Sequence, residues 1–356
     1  MKNKSAPSLK YLDAKQRIKK QIENGSFNDK IPGERILAEQ IGYSYLTIRQ
    51  AINELVEEGV LYRLPRRGTF ITGRNAQTVS PTMVGFFLHE SYKHGISSPY
   101  YAKVFNHLQR HVTLQRLNLF YFTDIQQIDP KGVLAVIATA FPENESELVR
   151  LSSRLPVVLF DNNIKGHKIP AVVIDNFNAT YGAIEYAMAL GHKRIGYLSG
   201  PKNSSVGLKR LAGYQTALLD YDIEIDDEII KYGDYEFTSG YEAAKQFCAL
   251  PKMPTYIHCA NDLMAMGLIK GLSEKGLKIP KDVNVSGFDD IDGCDRYFPS
   301  ITTMAVDYDK MANAVVEVIM KMVNNTLIDP FTKIMPAQLI VRESTCVCEA
   351  DIEINI

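Results

Sequence analysis

Apolar residues recur at roughly helical spacing through residues 11–23, as Leu12, Ala14, Ile18 and Ile22, and Gly25 follows as a stop. The pattern predicts a leading helix over Tyr11 to Glu23. Pro32-Gly33-Glu34-Arg35 then opens a shorter helix that turns Ile36, Leu37, Ala38 and Ile41 inward and ends at Gly42. Ser44 stands where a cap is wanted for a third helix. In that helix Ile48, Ala51, Ile52, Leu55 and Val56 fall at i, i+3, i+4, i+7 and i+8, a single apolar stripe closed by Gly59. Its other face carries Tyr45, Arg49 and Asn53, with Thr47 and Gln50 beside them. Two β-rich runs, Val60–Leu64 and Thr69–Thr72, are joined by Pro65-Arg66-Arg67-Gly68. Helix, turn, helix and a hairpin tipped with arginines make a winged helix-turn-helix, whose third helix has the size to enter a DNA major groove. A single exposed arginine is usually just solvated. Here the polar set shares one helix face and the loop arginines sit where a wing places them against phosphate or the minor groove.

The period changes from Thr82 onward. Apolar strand-like runs occur at Met83–Leu88, Leu119–Phe122, Val133–Thr139, Val157–Phe160, Ala171–Ile174, Arg194–Leu198, Thr255–Cys259 and Val283–Gly287. Amphipathic stretches such as Tyr100–Gln115, Ala179–Leu190 and Asp262–Lys275 lie between most of them. Such alternation predicts α/β architecture: two doubly wound parallel-sheet lobes with a ligand cleft at the carboxyl ends of the strands. The expected division is a reader over 1–73, a polar linker over 74–81, a two-lobed domain over 82–345 and a tail over 346–356.

Charge adds to this picture. Residues 1–74 hold 14 Lys and Arg against 8 Asp and Glu, while the rest of the 356 residues hold 26 against 33. A basic front on an acidic body suits a nucleic-acid reader joined to a sensor, although local composition alone leaves chance open. No run of 18 consecutive apolar residues occurs, and the start of the chain is polar, so the expectation is a cytoplasmic protein without a membrane span. The five cysteines, Cys248, Cys259, Cys294, Cys346 and Cys348, are scattered. Cys346-x-Cys348 has no second ligand pair, so free thiols and no metal or other cofactor are expected.

The run Ile31-Pro32-Gly33-Glu34-Arg35-Ile36-Leu37-Ala38-Glu39-Gln40-Ile41-Gly42 resembles the opening of the GntR family's helix-turn-helix. Thr47 to Gly59 and Arg67-Gly68-Thr69-Phe70 continue the likeness over about 45 residues. The resemblance implies that Arg35, Thr47 and Arg49 contact operator DNA and that Gly68 shapes the wing turn. Ser44, Tyr45, Gln50, Arg66 and Arg67 complete the candidate DNA-binding set. Two departures stand out. Gly33 replaces the family's usual serine, which loses a helix cap, and Tyr45 replaces its usual arginine, so a bidentate Arg–guanine contact is unavailable there. An operator that differs from the family's commonest half-site is expected.

Residues 82–345 resemble the sensor domain of the lactose/galactose repressor family, itself similar to periplasmic sugar-binding proteins. The runs Leu190-Gly191-His192-Lys193-Arg194-Ile195-Gly196, Arg210-Leu211-Ala212-Gly213-Tyr214, Ala260-Asn261-Asp262, Gly287-Phe288-Asp289-Asp290 and Val341-Arg342-Glu343-Ser344 carry the likeness in order. It implies effector contacts from Asp289, Asn261, Arg210 and Asp161, with Tyr235 and Tyr308 as aromatic covers. On the first lobe it adds His89 and Tyr100, the latter in Ser98-Pro99-Tyr100. Such a set suits a sugar, whose hydroxyls meet carboxylates and fixed donors while aromatics cover its ring. Asp289 could instead cap a helix and Tyr308 could be core, while His192 reads as structural. Only ten residues separate Phe122 from Val133, where the family has a helix and a parallel crossover normally needs a dozen or more. The first lobe is therefore expected to lack a covering helix, with one sheet face bare or buried by a partner.

The joining of these parts resembles the arabinose-repressor type of regulator. It implies a homodimer on near-palindromic double-stranded operator DNA. The sequence carries no phosphate loop, nucleophile elbow or metal-ligand cluster, so no enzyme is expected. The expected function is transcription regulation of carbohydrate use, as a repressor, controlled by a sugar-like effector.

Overall fold

The computed structural model describes residues 9–27, 30–64, 68–71, 82–90, 92, 94–327, 329 and 331–347. The chain divides at Pro81/Thr82 into two compact units. The linker proposed over 74–81, the wing-tip residues Arg66 and Arg67, and Cys348 lie outside the described residues.

The first unit is three helices and a hairpin: α1 (Leu9–Glu23), α2 (Glu34–Ile41), α3 (Tyr45–Glu57), β1 (Leu61–Leu64) and β2 (Gly68–Ile71). The strands are antiparallel, with Tyr62 opposite Phe70. Ile48, Ala51, Ile52 and Leu55 form the buried stripe of α3 and meet Ala14, Ile18 and Ile22 of α1 in one core. Two inward assignments were wrong. Leu12 is 43% exposed and Ile36 is 55% exposed, because Tyr11 and Leu37 occupy the core-facing turns instead. Gly42 ends α2 in the left-handed conformation, φ 80°, with its N–H bonded to Ala38 O, the usual glycine stop.

The second unit holds two sheets. The first lobe's six strands are β3 (Met83–Phe87), β4 (Asn118–Phe122), β5 (Val133–Ala138), β6 (Val157–Phe160), β7 (Ala171–Ile174) and β13 (Thr332–Met335), in spatial order β13-β7-β6-β5-β3-β4. The second lobe's are β8 (Ile195–Ser199), β9 (Ile230–Tyr232), β10 (Tyr256–Cys259), β11 (Asn284–Asp289), β12 (Thr302–Val306) and β14 (Ala337–Ile340), in order β14-β12-β11-β10-β8-β9. All pairings are parallel except β12 with β14. Near-continuous burial along β6, β7, β8, β10 and β11 reflects helices packed on both faces.

The covering helices are α4 (Pro99–Leu114), α5 (Glu145–Ser152), α6 (Asn176–Ala189), α7 (Ser205–Asp220), α8 (Phe237–Cys248), α9 (Asp262–Glu274) and α10 (Tyr308–Val323). The chain passes between lobes three times: after β7, between β12 and α10, and at Pro336 between β13 and β14. Four strands, β9, β12, β13 and β14, were not anticipated. Between β4 and β5 there is a single 3-10 turn, Ile125–Gln127, and no α-helix, as the count of residues required. Phe120 on edge strand β4 is consequently 46% exposed. Among the described residues no helix is long and apolar enough to cross a membrane.

Candidate functional site

Two surfaces hold the expected functional residues, one in each unit. In the first, Ser44 caps α3: its Oγ accepts from Thr47 N at 3.2 Å and lies 2.8 Å from Thr47 Oγ1. This orders the first turn, where Tyr45 (38%) and Leu46 (73%) are exposed, together with Arg49 and Gln50. Arg35 is also exposed. Neither Arg35 nor Arg49 makes an ion pair or hydrogen bond among the described residues, so both guanidinium groups remain available to an outside partner. Other cations are committed inside the fold. Lys15 bridges Glu54 at 2.9 Å and Glu58 at 2.6 Å, Lys19 reaches Glu58 at 2.8 Å, and Arg63 pairs with Glu34 at 2.8 Å. Part of the basic surplus therefore fastens α1 to α3 instead of serving a ligand.

Gly68, at φ +117°, starts β2 beside Lys30; a Cβ there would stand 2.5 Å from Lys30 Cε. Lys30 Nζ lies 5.8 Å from the Phe70 ring centre, which holds the ammonium against the hairpin. The positions of Lys30 beside the hairpin and of Leu46 on the exposed first turn were not anticipated from the sequence. Lys30 lies outside any helix pattern, and Leu46 carries the wrong polarity for a groove-facing residue. As expected from Gly33, α2 has no side-chain cap.

In the second unit, a cavity of about 400 Å³ opens between the two lobes, at the carboxyl ends of their strands. Asp161 follows β6 and Asp289 ends β11. Asp161 (φ 68°), Tyr235 (φ 68°) and Asp289 (φ 104°) all adopt the left-handed region that side-chain-bearing residues rarely occupy. Three strained residues around one cleft mark a site whose geometry the surrounding fold enforces.

Arg210, on α7, is the hub. Its Nε donates to Asn176 Oδ1 at 2.7 Å, Nη1 to Ala260 O, and Nη2 to Asp289 Oδ1 at 3.2 Å. The guanidinium carbon lies 3.5 Å from the Phe288 ring centre. Both members of the Arg210–Asp289 pair are buried. Burial raises the Asp289 carboxyl well above the ordinary carboxylate range, with Arg210 opposing. For Arg210, burial disfavours the charge but the Asp289 carboxylate outweighs it, and the guanidinium stays protonated. Asp161 is raised too, by burial, against the pull of Arg210. Its Oδ1, the Tyr100 hydroxyl and Thr139 Oγ1 are buried without a hydrogen-bond partner. Buried polar atoms of Gln21, Thr180, Tyr197, Tyr256 and His258 are orphaned likewise among the described residues, and these three differ in belonging to residues that line the cleft.

Tyr235 is held by both ends: its hydroxyl lies 3.0 Å from Ser204 Oγ, and its carbonyl accepts from Asn261 Nδ2 at 2.8 Å. Gly200 makes room for it, since a Cβ there would stand 2.2 Å from the ring. Asn261 Oδ1 accepts from Met264 N at 3.0 Å and so caps α9. Asp289 ends β11 and caps none of the described helices. Behind the cleft, Asp262 accepts from Ile291 N (2.9 Å) in the 289–294 loop and from Thr303 Oγ1 (2.6 Å) on β12, and burial pushes its carboxyl up to about 6.

Tyr100, Asp161, Arg210, Tyr235, Asn261 and Asp289 all line the cavity. His89 and Tyr308 do not. His89 packs edge-on to Phe87 at the end of the strand. Tyr308 is buried, and its hydroxyl donates to Asp289 O at 2.8 Å, so it supports the turn that aims Asp289. His192 is structural, its Nδ1 3.0 Å from Thr255 Oγ1. Tyr92, Tyr101, Thr139 and Asn162 also line the cavity and were not anticipated, because the runs that contain them lack a distinctive spacing.

The comparisons with known proteins fall along the same division. Residues 10–71 match the family of bacterial regulatory proteins described as gntR, and residues 184–345 match the periplasmic binding protein-like domain. The chain thus joins a segment similar to the gntR helix-turn-helix to one similar to the periplasmic binding protein-like domain. Among curated relatives, the HTH-type transcriptional repressor CytR of Escherichia coli K12 is 33% identical over 190 residues, 53% of this chain and 56% of that protein. The matched part thus spans little more than half that relative's length. The HTH-type transcriptional repressor PurR of Haemophilus influenzae is 27% identical over 292 residues, 75% of this chain and 84% of that protein. A solved transcriptional regulator CelR–cellobiose complex aligns with TM-score 0.67 at 20% identity, over 88% of this chain and 100% of that one. A putative transcriptional regulator LacI from Bacillus cereus subsp. cytotoxis aligns with TM-score 0.68 at 23% identity, over 75% of this chain and 98% of that one. The structural likenesses establish the two-lobed fold of the periplasmic binding protein-like domain, and the curated relatives are transcriptional repressors.

Proposed function

We propose that this chain is a DNA-binding transcription regulator, a repressor of carbohydrate-utilisation genes, whose operator affinity is set by a small polyhydroxylated effector in the cleft between the two lobes. One observation carries the reading: a gntR-type helix-turn-helix shares its chain with a two-lobed cleft lined by Tyr100, Asp161, Arg210, Tyr235, Asn261 and Asp289. Arg35, Ser44, Tyr45, Thr47, Arg49, Gln50 and Gly68 form the DNA contact, joined by Arg66 and Arg67 from the sequence between β1 and β2. Tyr100, Asp161, Arg210, Tyr235, Asn261 and Asp289 form the effector contact, while Tyr308 positions Asp289 from behind. The repressor names of the curated relatives and the cellobiose in the CelR complex agree with this assignment.

The protein acts in the cytoplasm as a homodimer on a near-palindromic operator, since two readers matched to two half-sites give the usual two-fold recognition. An effector that binds one lobe arrangement better than another shifts the population of arrangements, and operator affinity follows. The test is fluorescence anisotropy of the purified protein on DNA from upstream of its own gene, across a salt series, with and without sugars. Affinity should fall steeply with salt and change on addition of a binding sugar. Salt-independent binding, or operator affinity indifferent to every bound sugar, would refute the reading.

A further inference from the structure

The exposure pattern of α3 moves the centre of its outward face. Leu46, Arg49, Gln50 and Asn53 are exposed at i, i+3, i+4 and i+7, on the side opposite the buried Ile48, Ala51, Ile52 and Leu55. At about 100° per residue, Leu46 stands near the middle of that side and Tyr45 at its flank. Leu46 is 73% exposed, the most of any large apolar side chain described in the first unit, and takes no part in the core beneath it. The hydroxyls beside it on the same turn are occupied with each other: Thr47 Oγ1 lies 2.8 Å from Ser44 Oγ, which also accepts from Thr47 N. A single exposed leucine on a solvated helix is ordinary. This one stands on the first turn of the helix sized for the major groove, where N-terminal side chains meet base edges.

Resting on the DNA-binding reading above, we propose that Leu46 selects thymine in each operator half-site by packing on its 5-methyl group. Leucine neither donates nor accepts a hydrogen bond, so an unusual polarity for a groove-facing residue narrows what it can meet. The thymine methyl is the apolar group on the major-groove surface, whereas guanine, adenine and cytosine present acceptors and donors there. A leucine laid over those groups strips their water and returns no partner. Leu46 is thus a specificity-determining residue, set beside the hydrogen-bonding side chains of Arg49 and Gln50 one turn further along. Burying one methyl group is worth about fourfold in affinity.

The experiment starts from binding-site selection with the full wild-type chain on a random duplex pool. In the recovered duplex each thymine is replaced in turn, together with its counterpart in the other half-site, by deoxyuridine, which lacks only the 5-methyl group. Fluorescence anisotropy then gives the affinities of wild type and of Leu46→Ala, whose melting temperature should not move because the side chain lies outside the core. At one position per half-site the wild type should lose about fourfold for each methyl removed, and Leu46→Ala should lose less than about twofold. Selection repeated with Leu46→Ala should relax the preference for thymine at that position alone. Recovered half-sites without thymine, a duplex in which no methyl matters, or an equal methyl loss in Leu46→Ala would overturn the proposal and leave the DNA-binding reading standing. If the chain retained no duplex from the pool, the reading and the proposal would fall together.

Discussion

The two units use polar chemistry in opposite ways. The reader shows its polar groups to water: Arg35, Arg49 and Gln50 stand exposed, and nothing in the fold depends on them. The cleft buries its groups, so that Arg210 and Asp289 are inside the protein and hold each other, Asn176 and Ala260 in place. An exposed charge costs the fold almost nothing and is free for a partner. A buried one is costly alone and tolerable only in company. Function and stability are therefore separable in the first unit and entangled in the second.

That contrast is most easily broken with Arg210. Arg210→Ala strands the Asp289 carboxyl and the Asn176 amide, and should cost about 3–5 kcal/mol of stability in urea denaturation, along with effector binding. Arg49→Ala should change stability by less than about 0.5 kcal/mol and yet weaken operator binding by about 1–3 kcal/mol. If the two variants lost stability equally, the comparison would fail.

A smaller effect concerns pH. Asp289 titrates near 4 in an unfolded chain and is raised in the folded one to about 8, first by burial. The folded state thus holds the proton more tightly across that window, so stability is fully present at its lower end and declines as the pH rises through it. Asp262 is raised in the same sense, to about 6, and adds to the decline. Between pH 5 and pH 8 the ligand-free protein should lose about 2 kcal/mol from Asp289, less than the full shift implies because Arg210 shares the titration. Denaturation of Asp289→Asn across the same range should show a shallower slope. An unchanged slope would mean that the carboxyl is already ionised in the fold.

Tyr45 sharpens the reader's side of the comparison. Being 38% exposed at the start of α3, it can be exchanged without disturbing the core. Tyr45→Arg should leave the melting temperature in place and shift base preference toward guanine at one half-site position, by about 1–3 kcal/mol of discrimination. Binding-site selection on wild type and variant measures this directly, and identical selected sites would show that Tyr45 does not face a base.

Legibility in the sequence followed the same line. Strong periods gave away α1, α3, α4, α6 and α9 and the central strands of both sheets, since elements buried on one or both faces write their burial into the chain. The strands that escaped notice were β9, β13 and β14 at sheet edges, along with β12. β13 and β14 have mixed exposure and four residues each, too short for a period to show. At the cleft, residues next to a strand end or a distinctive run were found: Asp161, Arg210, Asn261 and Asp289. His89 and Tyr308 were misplaced because position in the chain says where a strand ends and not which way the next side chain turns. Asn261 shows a further limit, since one amide both caps α9 and holds Tyr235, and only the geometry reveals that one of its two N–H donors and one of its oxygen lone pairs already serve the fold.

The smallest effect lies at the helix starts of the reader. Ser44 caps α3 through Thr47 N, whereas Gly33 leaves α2 without a side-chain cap. Ser44→Ala should therefore cost about 1 kcal/mol, and Gly33→Ser should return a few tenths, because glycine is only slightly worse than serine at a cap. The site has room: Gly33 has φ −55° and ψ 145°, and a Cβ there meets nothing within 4 Å. Since Ser44 precedes Tyr45, its loss also loosens the turn that presents Tyr45 and Leu46, whereas Gly33 stands at the start of the other helix. Ser44→Ala should accordingly lower operator affinity by more than its stability loss explains, and Gly33→Ser should leave affinity unchanged. Chemical denaturation and anisotropy on the same preparations separate these outcomes. If stability and affinity moved together in both variants, separability in the reader would hold for its exposed side chains and not for the caps that place them.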